Sequence, residues 1–297
     1  MEETTTSFLQ RYSAQLVGFL LPAAKRLKKL FSFQYDDTPL SDKIYHLHRH
    51  WLKIIHDHYF RVEHFGQYEE AKKIAKKEHI MVISHHGNTL EAALIGYFFI
   101  IHQLGKLRVL VYKEAFRLPF IREFFRSGQC IPISIEAGSQ ALKEGHIMVF
   151  PEGMDFIKRY VQKNYVIKFH KGFLNIAQKY LQDHQLDHIH IVPVGHDGIE
   201  NTLKFWVIDN PTIVEKFIKP IFHYPYFVFP KLPLILPHKT IMKWGKPQKV
   251  TLEDLQNPRL FTQMMNDFRS QILALRRMAH KLNQLRDLPF RARPEFT

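Results

Sequence analysis

Between residues 79 and about 250 the chain switches repeatedly between two hydrophobic rhythms. Short apolar runs occur at 79–84, 107–112, 129–134, 146–150, 188–194, 203–208 and 239–244, and runs of this kind predict strands. Among them lie stretches with apolar residues at helical spacing, at 90–104, 115–126, 137–143 and 172–182, which predict helices. Such alternation predicts an α/β fold, a largely parallel, helix-covered sheet of about seven strands. Segment 217–237 breaks the rhythm, with prolines at 220, 225, 230, 233 and 237 among many aromatics, so a long regular helix is excluded there.

The flanks read differently. Residues 1–78 predict an N-terminal helical arm. In it Phe8, Leu16, Phe19, Leu20, Leu27, Leu30 and Phe31 are interleaved with Lys25, Arg26, Lys28 and Lys29, the pattern of a basic amphipathic segment lying in a membrane interface. Residues 251–297 predict a C-terminal helical extension. Thr251 to Asp254 resembles a capping box, and after Pro258 a long helix keeps Leu260, Met264, Phe268, Ile272, Leu275 and Ala279 on one face, a stripe suited to docking on a core.

Composition narrows the function classes. The chain has 297 residues, 45% of them hydrophobic, and a net charge of +14, which suits contact with nucleic acid, anionic lipid or acidic substrates. Its basic residues are spread along the chain without a nucleic-acid-binding motif, so no nucleic acid is expected. Cys130 is the single cysteine, so no intramolecular disulfide forms and a reducing compartment is the natural setting. No run reaches about 18 unbroken apolar residues. Glu2 and Glu3 replace the positive start of a cleaved signal peptide.

Chemistry concentrates where two predicted strands end. His86-Gly87-Asn88-Thr89-Leu90-Glu91 follows the first, and Phe150-Pro151-Glu152-Gly153 ends the fourth; loops at strand ends are where open α/β sheets keep their sites. Five residues of regular helix turn about 140°, so His86 and Glu91 meet only if His86 is in the loop and Glu91 in the first helical turn. Asn88 is a good N-cap with Glu91 three residues on, so Glu91 also reads as a simple capping carboxylate. Pro151 and Gly153 hold Glu152 on a stiff corner. A base, an orienting acid and a rigid turn suit removal of a proton from a hydroxyl. The histidines at 46, 48, 50, 56, 58 and 64 resemble a metal site at first sight. Without thiolates and with few acids nearby, they read as a pH-sensitive helix face, and no metal is expected.

Taken together, these segments resemble the glycerolipid acyltransferase superfamily, of which lysophosphatidic acid acyltransferases are the best-known members. Its His-x4-Asp motif is matched by His86 and Glu91, and its second motif by Lys113 to Pro119 and then Gly128 to Ile133. Its Phe-Pro-Glu-Gly motif is matched at 150–153 and its Pro-containing apolar strand by Ile191-Val192-Pro193-Val194. Trp244-Gly245-Lys246-Pro247 is similar to the family's closing strand end. The resemblance covers roughly 79–250. It implies a membrane-associated O-acyltransferase, on the cytoplasmic face, that moves a fatty acyl chain from acyl-CoA or acyl carrier protein to a lipid hydroxyl without a metal or organic cofactor. His86 would be the general base and Glu91 its orienting carboxylate, while Lys113, Gly128, Glu152 and Gly153 would bind substrate. Backbone N–H groups near His86 or the 150–153 turn would be the oxyanion donors.

Three departures from the family pattern bear on the acceptor. Glu91 replaces Asp; late lipid A acyltransferases also carry Glu in a His-x-Gly-Asn-x-Glu setting, which makes them the alternative reading, though they lack Phe-Pro-Glu-Gly. Ser134 and Ile135 stand where the second motif often ends in arginine, and Met154-Asp155 stands where Thr-Arg or Ser-Arg usually follows the third. Lys158 and Arg159 are the substitutes as phosphate ligands, and Lys does not reproduce bidentate binding. The acceptor is therefore either 1-acylglycerol-3-phosphate or a neutral mono- or diacylglycerol. A non-enzymatic basic protein bound to membrane or nucleic acid is the rival class.

Overall fold

A computed structural model describes residues 53–286, apart from Thr89, most of 114–127, Met154, most of 156–167, and 203–236 beyond the backbone of two short strands. The basic amphipathic segment at 1–33, most of the helix expected at 115–126, and the irregular segment at 217–237 apart from 227–230 and Pro237 lie outside the described residues. Strands β1 (Glu63–Gly66), β2 (Ile80–Ser84), β3 (Leu107–Val111), β4 (Cys130–Pro132), β5 (His146–Val149), β6 (His188–Asp197), β9 (Ile241–Trp244) and β10 (Gln248–Thr251) form one eight-stranded sheet. Its order is β1-β9-β6-β2-β5-β3-β4, with β10 also on β6. The five strands β6, β2, β5, β3 and β4 are mutually parallel, the largely parallel sheet that the alternation predicts.

Four strands differ from expectation: β1 and β7, β8 in the segment expected to be irregular, and β10, where no strand is predicted. β1 falls in the arm expected to be helical, yet pairs with β9 as an edge of the sheet. The run predicted at 203–208 is a strand, β7 (Phe205–Ile208), but it leaves the sheet and pairs antiparallel with β8 (Phe227–Pro230).

Helices cover both faces. β2 is buried along its whole length, and its residues alternate between two cores. Met81 and Ile83 join Phe173, Ile176, Leu181, Phe268 and Ile272. That layer is built by α3 (Ile135–Glu144), α4 (Gly172–His184), α5 (Leu252–Gln256) and α6 (Pro258–Arg286). Ile80 and Val82 join Leu94, Phe98, Phe150 and Trp244, under α1 (Tyr68–Ala75) and α2 (Leu90–Ile101). Most of the apolar run on α2 is thus core, with Leu94, Ile95, Phe98 and Phe99 almost fully enclosed. The predicted capping box is present: Thr251 and Asp254 exchange side-chain-to-backbone bonds at the start of α5. The apolar stripe of α6 does dock on the core, with Phe268, Ile272 and Ala279 fully buried.

β6 carries a proline in a central position, which normally removes a ladder bond. Here β9 and β10 run end to end along the same side of β6, pairing with residues 194–197 and 188–191. The break between them, Gly245 to Pro247, lies opposite Pro193, and Gly245 N–H donates to the Pro193 carbonyl at 2.8 Å. A side chain at Gly245 would strike Pro193 Cγ at 2.8 Å, so Gly245 lets the break close onto the proline.

Candidate active site

The C-terminal ends of the adjacent strands β6, β2 and β5 meet at one edge of the sheet. β2 delivers His85 and His86, β5 delivers Phe150 to Gly153, and β6 delivers His196, followed by a 3₁₀ turn at Ile199–Asn201. The His86 imidazole stacks on Phe150, with centroids 4.4 Å apart, and keeps a partly exposed edge.

Glu91 sits in the first turn of α2 and is completely buried. Its Oε2 accepts from the Asn88 backbone at 3.0 Å, while Asn88 Oδ1 accepts from Leu90 N–H at 2.9 Å. Its Oε1 accepts from Gly87 N–H at 2.9 Å and makes a short bond with Nδ1 of His86. The carboxylate therefore caps the helix and orients the histidine at once. Burial alone would push its carboxyl pKa up, but the adjacent His86 charge and the donated hydrogen bonds prevail and hold it well below the usual range. An ionised Glu91 fixes the proton of neutral His86 on Nδ1 and leaves the Nε2 lone pair as the basic one. Asn88 is locked from the other side, its amide donating to the Ile199 carbonyl at 2.6 Å and to Thr202 Oγ1 at 2.8 Å.

Glu152 is fully buried, and its Oε1 accepts from the backbone N–H of His86 at 3.1 Å. The carboxylate expected to shape the acceptor site thus grips the histidine's own backbone. Gly153 has φ +53, a left-handed turn that favours glycine, and its N–H returns to the Phe150 carbonyl at 2.9 Å. Of the backbone donors near His86 and in this turn, His86, Gly87 and Asn88 N–H donate to carboxylates and Gly153 N–H to a carbonyl. Lys158 pairs with Asp155 at 2.6 Å, and Asp155 also meets His170 at 3.1 Å. Lys113 and Gly128 are exposed, and Arg159 lies outside the described residues.

Beneath the catalytic loop is a cluster with no local sequence signal. His85 and His196 are both fully buried and stack at 3.8 Å, 18° from parallel. His196 Nε2 faces the His85 carbonyl at 3.0 Å and so carries a proton. Glu200 Oε1 lies 3.5 Å from His85 Nε2, 3.8 Å from His196 Nδ1 and 3.8 Å from Arg276 on α6. Burial and the neighbouring His196 hold His85 near a pKa of about 3, against the opposing pull of Glu200. These three groups bring potential ligand atoms within 4.8 Å of one another. A metal shared by two such parallel rings would sit outside both ring planes, away from the in-plane lone pairs. Arg276 already supplies a positive charge to the same carboxylate, so the cluster fits an ion-pair network and not a metal centre.

The family model described as Acyltransferase matches residues 66–197. Residues 66–197 form an acyltransferase domain. The match runs from the end of β1 to the end of β6 and includes His86, Glu91 and Glu152, bearing out the resemblance drawn from the motifs. Among solved structures, the 1-acyl-sn-glycerophosphate (LPA) acyltransferase PlsC from Thermotoga maritima aligns over 91% of this chain and 93% of its own, at 16% identity and a TM-score of 0.43. No curated protein matches the chain. Among the described residues of this acyltransferase, no helix is long and apolar enough to cross a membrane.

Proposed function

We propose that this acyltransferase moves a fatty acyl chain from acyl-CoA or acyl carrier protein to the hydroxyl of a glycerolipid, with His86 as general base. One observation carries the reading: a partly exposed imidazole whose Nδ1 is held by a fully buried carboxylate. His86 Nε2 takes the proton of the acceptor hydroxyl as its oxygen adds to the thioester carbonyl. The tetrahedral adduct then expels the thiolate, which recovers the proton from the imidazolium, giving ester and free thiol. Glu91 stabilises the imidazolium, and the hydroxyl attacks the thioester directly, without an acyl-enzyme, metal or organic cofactor. Pairing with Asp155 reduces the charge that Lys158 offers a phosphate, which supports a neutral mono- or diacylglycerol over 1-acylglycerol-3-phosphate. The partners are the lipid acceptor, the thioester carrier and an anionic membrane surface on the cytoplasmic side, reached through residues 1–33.

Incubating the protein with labelled oleoyl-CoA and a panel of lysophospholipids, mono- and diacylglycerol tests this. Labelled ester on a glycerolipid is expected, and hydrolysis alone or no thioester consumption overturns it.

A further inference from the structure

The carbonyl of His85 and the N–H of His86 belong to one peptide plane, and both are held by buried side chains. His196 Nε2–H donates to the carbonyl at 3.0 Å, and Glu152 Oε1 accepts from the N–H at 3.1 Å. Both side chains are fully enclosed. They arrive from the strands on either side of β2, His196 on β6 and Glu152 just past the end of β5. The plane they grip sets the Cα–Cβ direction of His86, because a planar peptide leaves only φ and the side-chain torsions to turn.

We infer that Glu152 and His196 are a pair of positioning residues that clamp the His85–His86 peptide and thereby aim the His86 imidazole at the reacting hydroxyl. The inference rests on the function proposed above and assigns Glu152 to the base's backbone in place of the acceptor. His196 also forms the floor of the loop: a side chain at Gly87 would meet His196 Cε1 and Ile199 Cγ2, each at 2.8 Å. The loop can therefore neither tilt its peptide nor sink toward β6. Angular error at a general base is costly, since a misplacement of about 1 Å can lower a rate by about 10²-fold.

The test separates a clamp from a substrate contact and from a merely structural part. In the full chain, Glu152→Ala and His196→Ala lower kcat roughly tenfold to a hundredfold while KM for the acceptor stays within about twofold. Glu152→Gln and His196→Gln, which keep an acceptor and a donor at the same reach, recover most of that loss. Proton NMR gives a readout independent of turnover: the low-field resonance of His86 Nδ1–H on Glu91 shifts or broadens in the alanine variants and is retained in the glutamine variants. A raised acceptor KM at unchanged kcat in Glu152→Ala overturns the clamp. So does an unperturbed His86 resonance in both alanine variants, or glutamine variants no better than alanine. A wild-type protein without acyl transfer sinks the proposed function alone, and the resonance still decides the clamp.

Discussion

His86 and His64 border the same core layer, one stacked on Phe150 and the other against Phe98 and Trp244. They hold their protons in opposite ways. Trp244 Nε1–H donates to His64 Nδ1 at 3.0 Å, which leaves His64 to donate from Nε2 to His56 at 3.1 Å, and His56 to donate from Nδ1 to Asp57 at 2.7 Å. Every ring nitrogen in that relay is consumed by its neighbour. Burial, then repulsion from His56 and His102, drives His64 down to about 3, and burial lowers His56 against the pull of Asp57. These rings are locked neutral and tie β1 to β9. His86 has a buried carboxylate on one nitrogen and a partly exposed edge on the other side. The difference lies in the second nitrogen: His86 has its carboxylate on Nδ1 and keeps a partly exposed edge, whereas both nitrogens of His64 and of His56 are taken, so that even the ring on Asp57 serves as a strut.

The largest effect expected from this contrast is at His86. His86→Ala lowers acyl transfer by about 10²–10⁴-fold with little change in thermal unfolding. His64→Gln keeps activity within severalfold but loses about 1–3 kcal/mol of stability through the broken relay. Labelled oleoyl-CoA turnover and a melting curve on both variants check it, and the reverse pattern breaks the comparison. Next comes Glu91. Glu91→Gln retains an acceptor for the helix cap but no charge for the imidazolium, so activity falls at least about a hundredfold. Glu91→Asp keeps a measurable fraction, and equal activity of Gln and wild type reduces Glu91 to a cap.

Acid sharpens the contrast further. His64 and His85 fall to about 3 in the fold, and His146 to about 4 because burial outweighs its bond to Leu104. Their unfolded value is 6.5, so the unfolded chain binds more protons below it. Stability is therefore present above pH about 6.5 and is lost as pH falls toward those folded values. Each such group contributes a slope of about 1.4 kcal/mol per pH unit within that window. Urea unfolding between pH 7 and 5 should show the decline, and His64→Gln should make it shallower; an unchanged slope removes His64 from the account. The smallest effect on the chemistry itself comes from the arm. A chain beginning near Tyr35 should lose vesicle binding, each lost cation weakening it by about 1 kcal/mol. Turnover of a soluble short-chain acceptor should stay near that of the full chain. Undiminished co-sedimentation at low and high salt places the anchor elsewhere, most plainly in segment 217–237.

Much of this was legible in the sequence because it is local. Apolar runs mark β2, β5 and β6, and Asn88 with Glu91 announces the helix start that brings carboxylate and histidine together. What was hidden is non-local. β1 shows no apolar run, since its residues are half-exposed and its partner β9 comes only after the rest of the domain. The expulsion of β7 depends on β8, which sits among the prolines. His196 follows the Pro193 strand in plain view, but nothing nearby in sequence signals that its ring reaches the His85 carbonyl. Glu152 was singled out for its corner, but its bond to the His86 backbone was not foreseen, because the motif fixes the turn while β2 decides what the carboxylate finds.

The order in which the chain is made sets when the His86 loop can be fully packed. β1 emerges early but has no strand to join until β9 follows, and β6, which carries His196, is backed by α6. Gly195 lies so close to that helix that an added Cβ would approach Arg276 N at 2.4 Å. Asp197 is held by His280 at 3.0 Å and Asn283 at 2.9 Å. A ribosome-bound chain halted before α6 therefore carries His86, Glu91 and Glu152 already synthesised, with the buried side of β6 still open to water. Domains fold as units during synthesis, and this one joins segments far apart in its sequence. Until α6 follows, His196 and the loop it supports have no closed core behind them.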